Sequence, residues 1–229
     1  MLKVLKFGGS SLADADQFRK VAAIVKSDPD NRFVVASAPG KRFNDDIKVT
    51  DLLLECYRLA RKKESIDEVF SKVEDRFRGI IADLGLSMSL EGEFSTIRLV
   101  INNRAGRDYV ASRGEYLNSM ILAEYLGYAF LDAEDAIFFK DDGTVDLERT
   151  DASLQVLLKE AGRAVVPGFY GSTPNGTVRT FSRGGSDITG SIVARASKAD
   201  LYENWTDVSG MLMADPRIVD DPESIPCIT

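Results

Sequence analysis

Five short apolar runs, most of them followed by a turn and a stretch of helical period, constrain this chain more than any other feature. Leu2 to Phe7 reads as a buried strand, and Asp14 to Ser27 sets Phe18, Val21, Ala22 and Val25 at helical spacing. "RFVVAS" (32–37) is a second β-branched strand, and the polar "PGKRFNDDIK" (39–48) is a loop. Thr50 opens the helix "TDLLLECYRLARKK". Residues 64–105 are charged and weakly periodic, and they read as helical without a sharp motif. A helix spans Tyr109 to Leu126. "YAFLDAEDAIFF" (128–139) reads as a strand with a short element after it, and 141–151 as a hairpin or loop. "RAVVPGFYG" (163–171) reads as one buried strand ending in glycines. "SRGGSDITGSIVARAS" is a glycine turn entering a helix, and 199–211 a strand followed by a loop. Strand and helix alternating in this way predict an α/β fold with a mostly parallel sheet.

Such a sheet binds ligands beyond the carboxyl ends of its strands. Three glycine-bearing turns fall at such ends: Gly8-Gly9, Gly168 with Gly171, and Gly184-Gly185. Glycine lets backbone amides approach an anion, and a helix N-terminus adds partial positive charge. Lys6 lies near the first turn and Arg183 near the third, so phosphate is the ligand this pattern suits. Ser186 and Asp187 fall in the first turn of the helix after Gly185. Asp187 could cap that helix or hold a lysine. Arg183 could pair with a carboxylate in bidentate fashion, and Glu115 is placed to receive an ammonium group. Arg113 and Glu115 taken alone read as surface charges.

Composition narrows the chemistry. The chain has 229 residues and no histidine, which excludes Ser-His and Cys-His nucleophilic mechanisms and His-ligated metal sites. Cys56 and Cys227 are too far apart in sequence to form a framework, and a reduced, cytoplasmic setting is the simplest reading. The net charge of -7 argues against nucleic acid as the main ligand. No apolar run approaches the ~18 residues of a membrane span. Neither GxxxxGK[ST] nor GxGxxG occurs, so P-loop and Rossmann readings are disfavoured.

Six stretches together resemble the aspartokinases of the amino acid kinase family. They are KFGGSS (6–11), SAPG (37–40) with VTDLL (49–53), SRGEYLNS (112–119), PGFYG (167–171), SRGGSD (182–187) and WTDVSGMLMADPR (205–217), in matching order and approximate spacing over the whole chain. The resemblance implies a three-layer αβα sandwich around an open, mainly parallel sheet, eight-stranded in the family. It implies ATP-dependent phosphorylation of the β-carboxylate of L-aspartate, the first step toward lysine, threonine and methionine. The alternatives are a non-catalytic aspartate- or nucleotide-binding fragment that needs a partner chain, or a kinase for another amino acid or carbamate. ATP and L-aspartate are then the partners, with Mg²⁺ accompanying ATP, and a homo-oligomer is expected of the full-length enzyme.

The roles transfer residue by residue from the resemblance. Lys6 would neutralise the transferring phosphoryl group, and Gly8, Gly9 and Ser10 would line the phosphate turn. Asp187 would orient Lys6. Thr50, Glu115, Phe169, Arg183 and Ser186 match aspartate-binding positions, with Glu115 taking the amino group and Arg183 the α-carboxylate. Thr206, Asp207 and Arg217 match nucleotide-binding positions, with Asp215 and Pro216 shaping that loop. Trp205 reads as packing beside it, and Phe169 could serve as core alone. Two departures stand out: TDVSG replaces the usual TDVDG at Ser209, and Leu212 stands where an aromatic is frequent. The sequence ends at "SIPCIT", where aspartokinases continue into another ATP-contacting lysine, further strands and ACT domains. The expectation is therefore a truncated catalytic domain over 1–229 with no regulatory domain, binding its ligands weakly and turning over slowly.

Overall fold

The structure, a computed structural model, describes residues 1–182, 184–206, 210–214 and 218–225, without the side chains of Met211 and Leu212. Five parallel strands form the central sheet: β1 (Lys3–Phe7), β2 (Asn31–Ala36), β3 (Ala129–Phe130), β4 (Ala164–Pro167) and β7 (Leu201–Trp205), in the order β3-β4-β2-β1-β7. Between β4 and β7 lies an antiparallel hairpin of β5 (Tyr170–Ser172) and β6 (Val178–Thr180), and a small pair, β8 (Met211–Leu212) with β9 (Ser224–Ile225), follows β7.

The period-two alternation of strand side chains builds two cores. Leu5, Phe7, Val34, Ala36 and Val165 face one layer of helices: α1 (Ala15–Lys26), α2 (Val49–Lys62), α3 (Asp67–Leu84), α4 (Glu91–Asn102) and α5 (Arg107–Leu126). Val4, Phe33, Val35, Ala164 and Val166 face the other layer, made of α6 (Ala133–Ala136), α7 (Leu147–Ala161) and α8 (Gly185–Ser197). The αβα sandwich expected from the sequence is therefore present, with five strands in its main sheet among the described residues. None of the described helices is long and apolar enough to cross a membrane.

Local chemistry explains most element ends. Asp14 caps α1 by accepting the Gln17 amide at 2.9 Å, and Asp146 caps α7 through the Arg149 amide. Gly85 and Gly127 end α3 and α5 in the left-handed conformation that glycine adopts without a Cβ clash.

The charged tract 64–105 is helical, as expected, and forms two helices on either side of residues 85–90, with Phe70, Phe77, Phe94 and Ile97 on their buried faces. Other expectations need correction. Of segment 141–151, residues 141–146 form the expected turn, bridged from Phe139 to Val145, whereas 147–151 are already the first residues of α7. That helix escaped the sequence reading although Leu154 and Leu158 sit one turn apart on its buried face, because the buried position one turn before them is the polar Thr150. The run 163–171 is two strands, since it is interrupted at Gly168 and at Phe169, whose φ is +81°.

Candidate active site

The carboxyl ends of β1, β2, β4 and β7 converge with the N-termini of α2 and α8. Lys6 has the parity of Val4 on β1, so its side chain points to the α8 layer. It is 8% exposed, and its Nζ lies 2.6 Å from Asp187 Oδ1 in the first turn of α8. Asn204 is the register partner of Lys6 on β7, and its Nδ2 donates to the same Asp187 oxygen at 3.1 Å. Tyr202 OH donates to the Asp187 carbonyl at 3.2 Å. The α8 N-cap is Gly184, with no side-chain cap, so Asp187 serves as the counter-charge of Lys6 rather than as a helix cap.

The Gly8-Gly9 turn is wedged against the loop after β2. A Cβ on Gly9 would lie 2.8 Å from the Ala38 carbonyl oxygen, and one on Gly40 would lie 2.7 Å from the Gly9 carbonyl carbon. The Gly40 amide donates to Gly9 O at 2.8 Å. Gly8 N–H donates to Trp205 O at 3.2 Å, so that amide is taken up by the β1–β7 ladder. Trp205 stacks on Phe7 with ring centroids 6.1 Å apart, and its indole N–H donates to Glu203, so packing accounts for one face of the ring.

A cavity of about 510 Å³ opens here, lined by Gly8, Gly9, Ser10, Ser37–Lys41, Lys48, Thr50, Glu115 and Thr206. Its floor comes from α5. Gly114 lets that helix approach the loop, since a Cβ there would meet Ala38 Cβ at 2.8 Å. Asn118 fastens the same contact by donating to Ser37 O at 2.7 Å. Glu115 is 6% exposed, and its Oε2 has no hydrogen-bond partner. Burial pushes its carboxyl group up to about 8, against the opposing pull of backbone donors including Ala38 and of nearby Arg113. Arg113 is buried too, its guanidinium lying over the rings of Tyr109, Tyr116 and Tyr170 and donating to Ser112 Oγ at 2.9 Å. Neither residue is a surface charge.

The turn at Gly168-Phe169 packs onto the start of α8. A Cβ on Gly168 would meet Ser186 Oγ at 2.5 Å, and one on Gly185 would meet the Phe169 ring at 2.6 Å. Thr189 locks the contact: it accepts the Phe169 amide at 3.1 Å and donates to Gly185 O at 2.9 Å. A non-glycine residue held at positive φ marks a constrained site. Gly171 likewise abuts the Ile137 carbonyl, so Gly168 and Gly171 serve close packing rather than an anion turn. Phe169 lines a second cavity of about 600 Å³ with Arg107, Arg179, Ser182 and Ile188.

The structure thus brings Gly8, Gly9, Ser10, Thr50, Glu115 and Thr206 to one cavity, and pairs Lys6 with Asp187 beside it. Ser186 and Phe169 share the neighbouring turn. Arg183, Asp207, Asp215, Pro216 and Arg217 lie outside the described residues. Lys41, Lys48, Asn118, Thr189 and Asn204 were not foreseen. Lys48 preceding the helix start at Thr50 was the one visible signal, whereas Asn204 needed the strand order. Among the described residues, no group of three or more Asp, Glu or Cys converges as a metal cage.

Residues 1–229 match the amino acid kinase family. Aspartokinase 3 of Bacillus subtilis (strain 168) is 39% identical over 248 residues, covering 100% of this chain and 53% of that protein. The crystal structure of Clostridium acetobutylicum aspartate kinase aligns with a TM-score of 0.92 at 48% identity, over 97% of this chain and 51% of that one. That of E. coli aspartokinase III in complex with aspartate and ADP aligns with a TM-score of 0.84 at 26% identity, over 98% and 53%. The chain spans about half the length of these relatives.

Proposed function

Because the chain belongs to the amino acid kinase family, we propose that it transfers the γ-phosphoryl group of ATP to the β-carboxylate of L-aspartate, as the catalytic portion of an aspartate kinase. The observation that carries this reading is the buried, unpartnered Glu115 Oε2 in the cavity that also holds the glycine turn. A buried carboxylate oxygen without a donor is unfavourable alone, and an ammonium group would satisfy it. An α-amino acid supplies that group. The resemblance of the chain to aspartate kinases, one of them in complex with aspartate and ADP, supports aspartate as the amino acid and ATP as the donor.

In this proposal Glu115 receives the ammonium group, and Thr50 and Ser186 contact the amino acid. Arg183 binds the α-carboxylate, and Phe169 walls the pocket. The β-carboxylate oxygen attacks the γ-phosphorus, and the bond to the bridging oxygen breaks with ADP as leaving group. A side-chain carboxylate is ionised at neutral pH, with an ordinary value of ~3.9, so no general base is needed. That suits a chain without histidine. Lys6 neutralises the charge on the transferring group, and Asp187, 2.6 Å away, fixes the direction of its ammonium. With the Gly8 amide engaged by Trp205, Gly9 and Ser10 are the donors of the turn toward phosphate, and Gly8 contributes by its lack of a side chain. Thr206, Asp207 and Arg217 take the nucleotide. Mg²⁺ belongs to the substrate complex with ATP. The described residues form no cage for it.

The finer assignments rest on the same reading: a place at the head of lysine, threonine and methionine biosynthesis, a cytoplasmic location, and a homo-oligomeric enzyme. The test is aspartate-dependent phosphoryl transfer from Mg-ATP, with the acyl phosphate trapped as its hydroxamate, alongside glutamate and carbamate as acceptors. Turnover with aspartate that falls at least ~100-fold in Lys6→Ala is expected. Equal turnover in Lys6→Ala, or preference for another acceptor, refutes the assignment.

A further inference from the structure

Arg76 comes from the tract that offered no motif, yet it is one of the most buried charges in the molecule, at 6% exposed. It projects from the middle of α3 beneath the loop that joins β2 to α2. One guanidinium nitrogen donates to Gly40 O at 3.1 Å and Ala13 O at 3.5 Å. The other donates to Asp46 Oδ2 at 2.6 Å and Ile47 O at 3.3 Å. A second arginine, Arg42, grips Asp46 through both carboxylate oxygens at 2.8 and 2.9 Å.

The acceptors are the informative part. Ala13 follows the short helical turn that succeeds Gly8-Gly9. Gly40 is the residue wedged against Gly9, and Asp46 and Ile47 lead into Lys48 and Thr50. The loop between them enters the cavity twice, first through Ser37–Lys41 and again through Lys48 and Thr50, while residues 42–45 and 47 are exposed. A polar loop of this length with no regular structure has few ways to hold both its ends. Arg76 fastens both with one planar group, which a lysine could not do because its ammonium lacks the fork.

We propose that Arg76, acting with Asp46, is a positioning residue for the amino acid side of the pocket. It fixes the distance between the cavity floor, where Glu115 sits, and the wall that carries Lys41, Lys48 and Thr50. This rests on the reading of that cavity as an amino acid site. Arg76 touches neither the Lys6–Asp187 pair nor β7, and it reaches the Gly8-Gly9 turn only indirectly, through Gly40 O and Ala13 O, so its influence falls more on the amino acid than on the nucleotide.

The experiment compares the wild-type protein with Arg76→Met and Asp46→Asn. The readouts are hydrogen exchange of the amides in 37–48 and separate KM values for aspartate and Mg-ATP. In both variants loop exchange should quicken by at least about ten-fold and the aspartate KM should rise by about ten-fold or more, with the Mg-ATP KM within about two-fold. A purely structural role would lower the unfolding midpoint without splitting the two constants. Unchanged loop exchange, an unmoved aspartate KM, or an equal rise in both constants overturns the proposal. Asp46→Asn keeps the test decisive if Arg76→Met does not fold. If wild-type protein fails to use aspartate, the substrate reading falls, and the exchange data alone decide whether Arg76 pins the loop.

Discussion

Replacing Glu115 with glutamine should make the protein more stable, and increasingly so as the pH rises. In the folded chain burial moves this carboxyl group from 4.5 to about 8, and its Oε2 has no donor. Each pKa unit corresponds to ~1.4 kcal/mol, so the displacement sets an upper bound of ~5 kcal/mol on what ionisation of this residue costs the native state. Below pH ~4.5 the group is protonated both folded and unfolded, and no penalty is felt. Between the two values the unfolded chain has released the proton and the native chain has not. Stability therefore falls with pH there, by at most ~1.4 kcal/mol per unit, and levels off above the folded value. Glutamine keeps a carbonyl oxygen for its backbone donors and never ionises. The stability difference, variant minus wild type, should be small at pH 4.5 and approach its maximum above pH 8. Urea unfolding of both proteins at one-unit steps from pH 5 to 9 reads it directly, because every other titrating group cancels in the difference. A flat difference, or a variant less stable than wild type at pH 8, would refute the burial argument. The same protonation predicts that aspartate binding at pH 7 releases a proton. The calorimetric enthalpy should then change with the ionisation enthalpy of the buffer in wild type, and not in Glu115→Gln.

Other expectations follow from single contacts. Gly40→Ala places a Cβ 2.7 Å from the Gly9 backbone, where no flexible side chain can yield, and should lower unfolding free energy by ~2 kcal/mol or more in chemical denaturation. Asp187→Asn keeps a hydrogen-bond acceptor for Lys6 and removes its counter-charge, so kcat should drop by ~10- to 100-fold with a smaller change in KM for aspartate. Thr189→Val leaves the Phe169 amide without its acceptor and should destabilise by ~1–3 kcal/mol, seen as a lower thermal midpoint.

The layers of the fold were legible because burial on both faces of a parallel strand writes a continuous apolar run, as in "RFVVAS". The glycine turns were equally visible, although their purposes were not. Gly8-Gly9 and Gly168 look alike in sequence, and both are packed closely, but Gly8-Gly9 also lines the cavity whereas Gly168 is covered by Ser186. α7 was lost because its buried face is narrow, two leucines preceded by the polar Thr150. Arg76, Arg113 and Asn204 were invisible for a shared reason. Their partners lie at Gly40, Tyr170 and Asp187, and no local pattern reports a contact made across such separations. Glu115 was found through its motif, but its burial and its vacant oxygen belong to the three-dimensional structure alone.

The position of β7 beside β1 also sets a timetable for synthesis. Asp187 is synthesised 181 positions after Lys6 (187 − 6), with the strand that flanks Lys6 later still. At ~5–20 residues per second that interval is roughly 10–35 s. Throughout it the nascent chain carries Lys6 without the carboxylate that pairs with it. The Lys6–Asp187 pair forms only once α8 has been made, and β7, laid down after it, then flanks Lys6 and brings Asn204 to the same carboxylate.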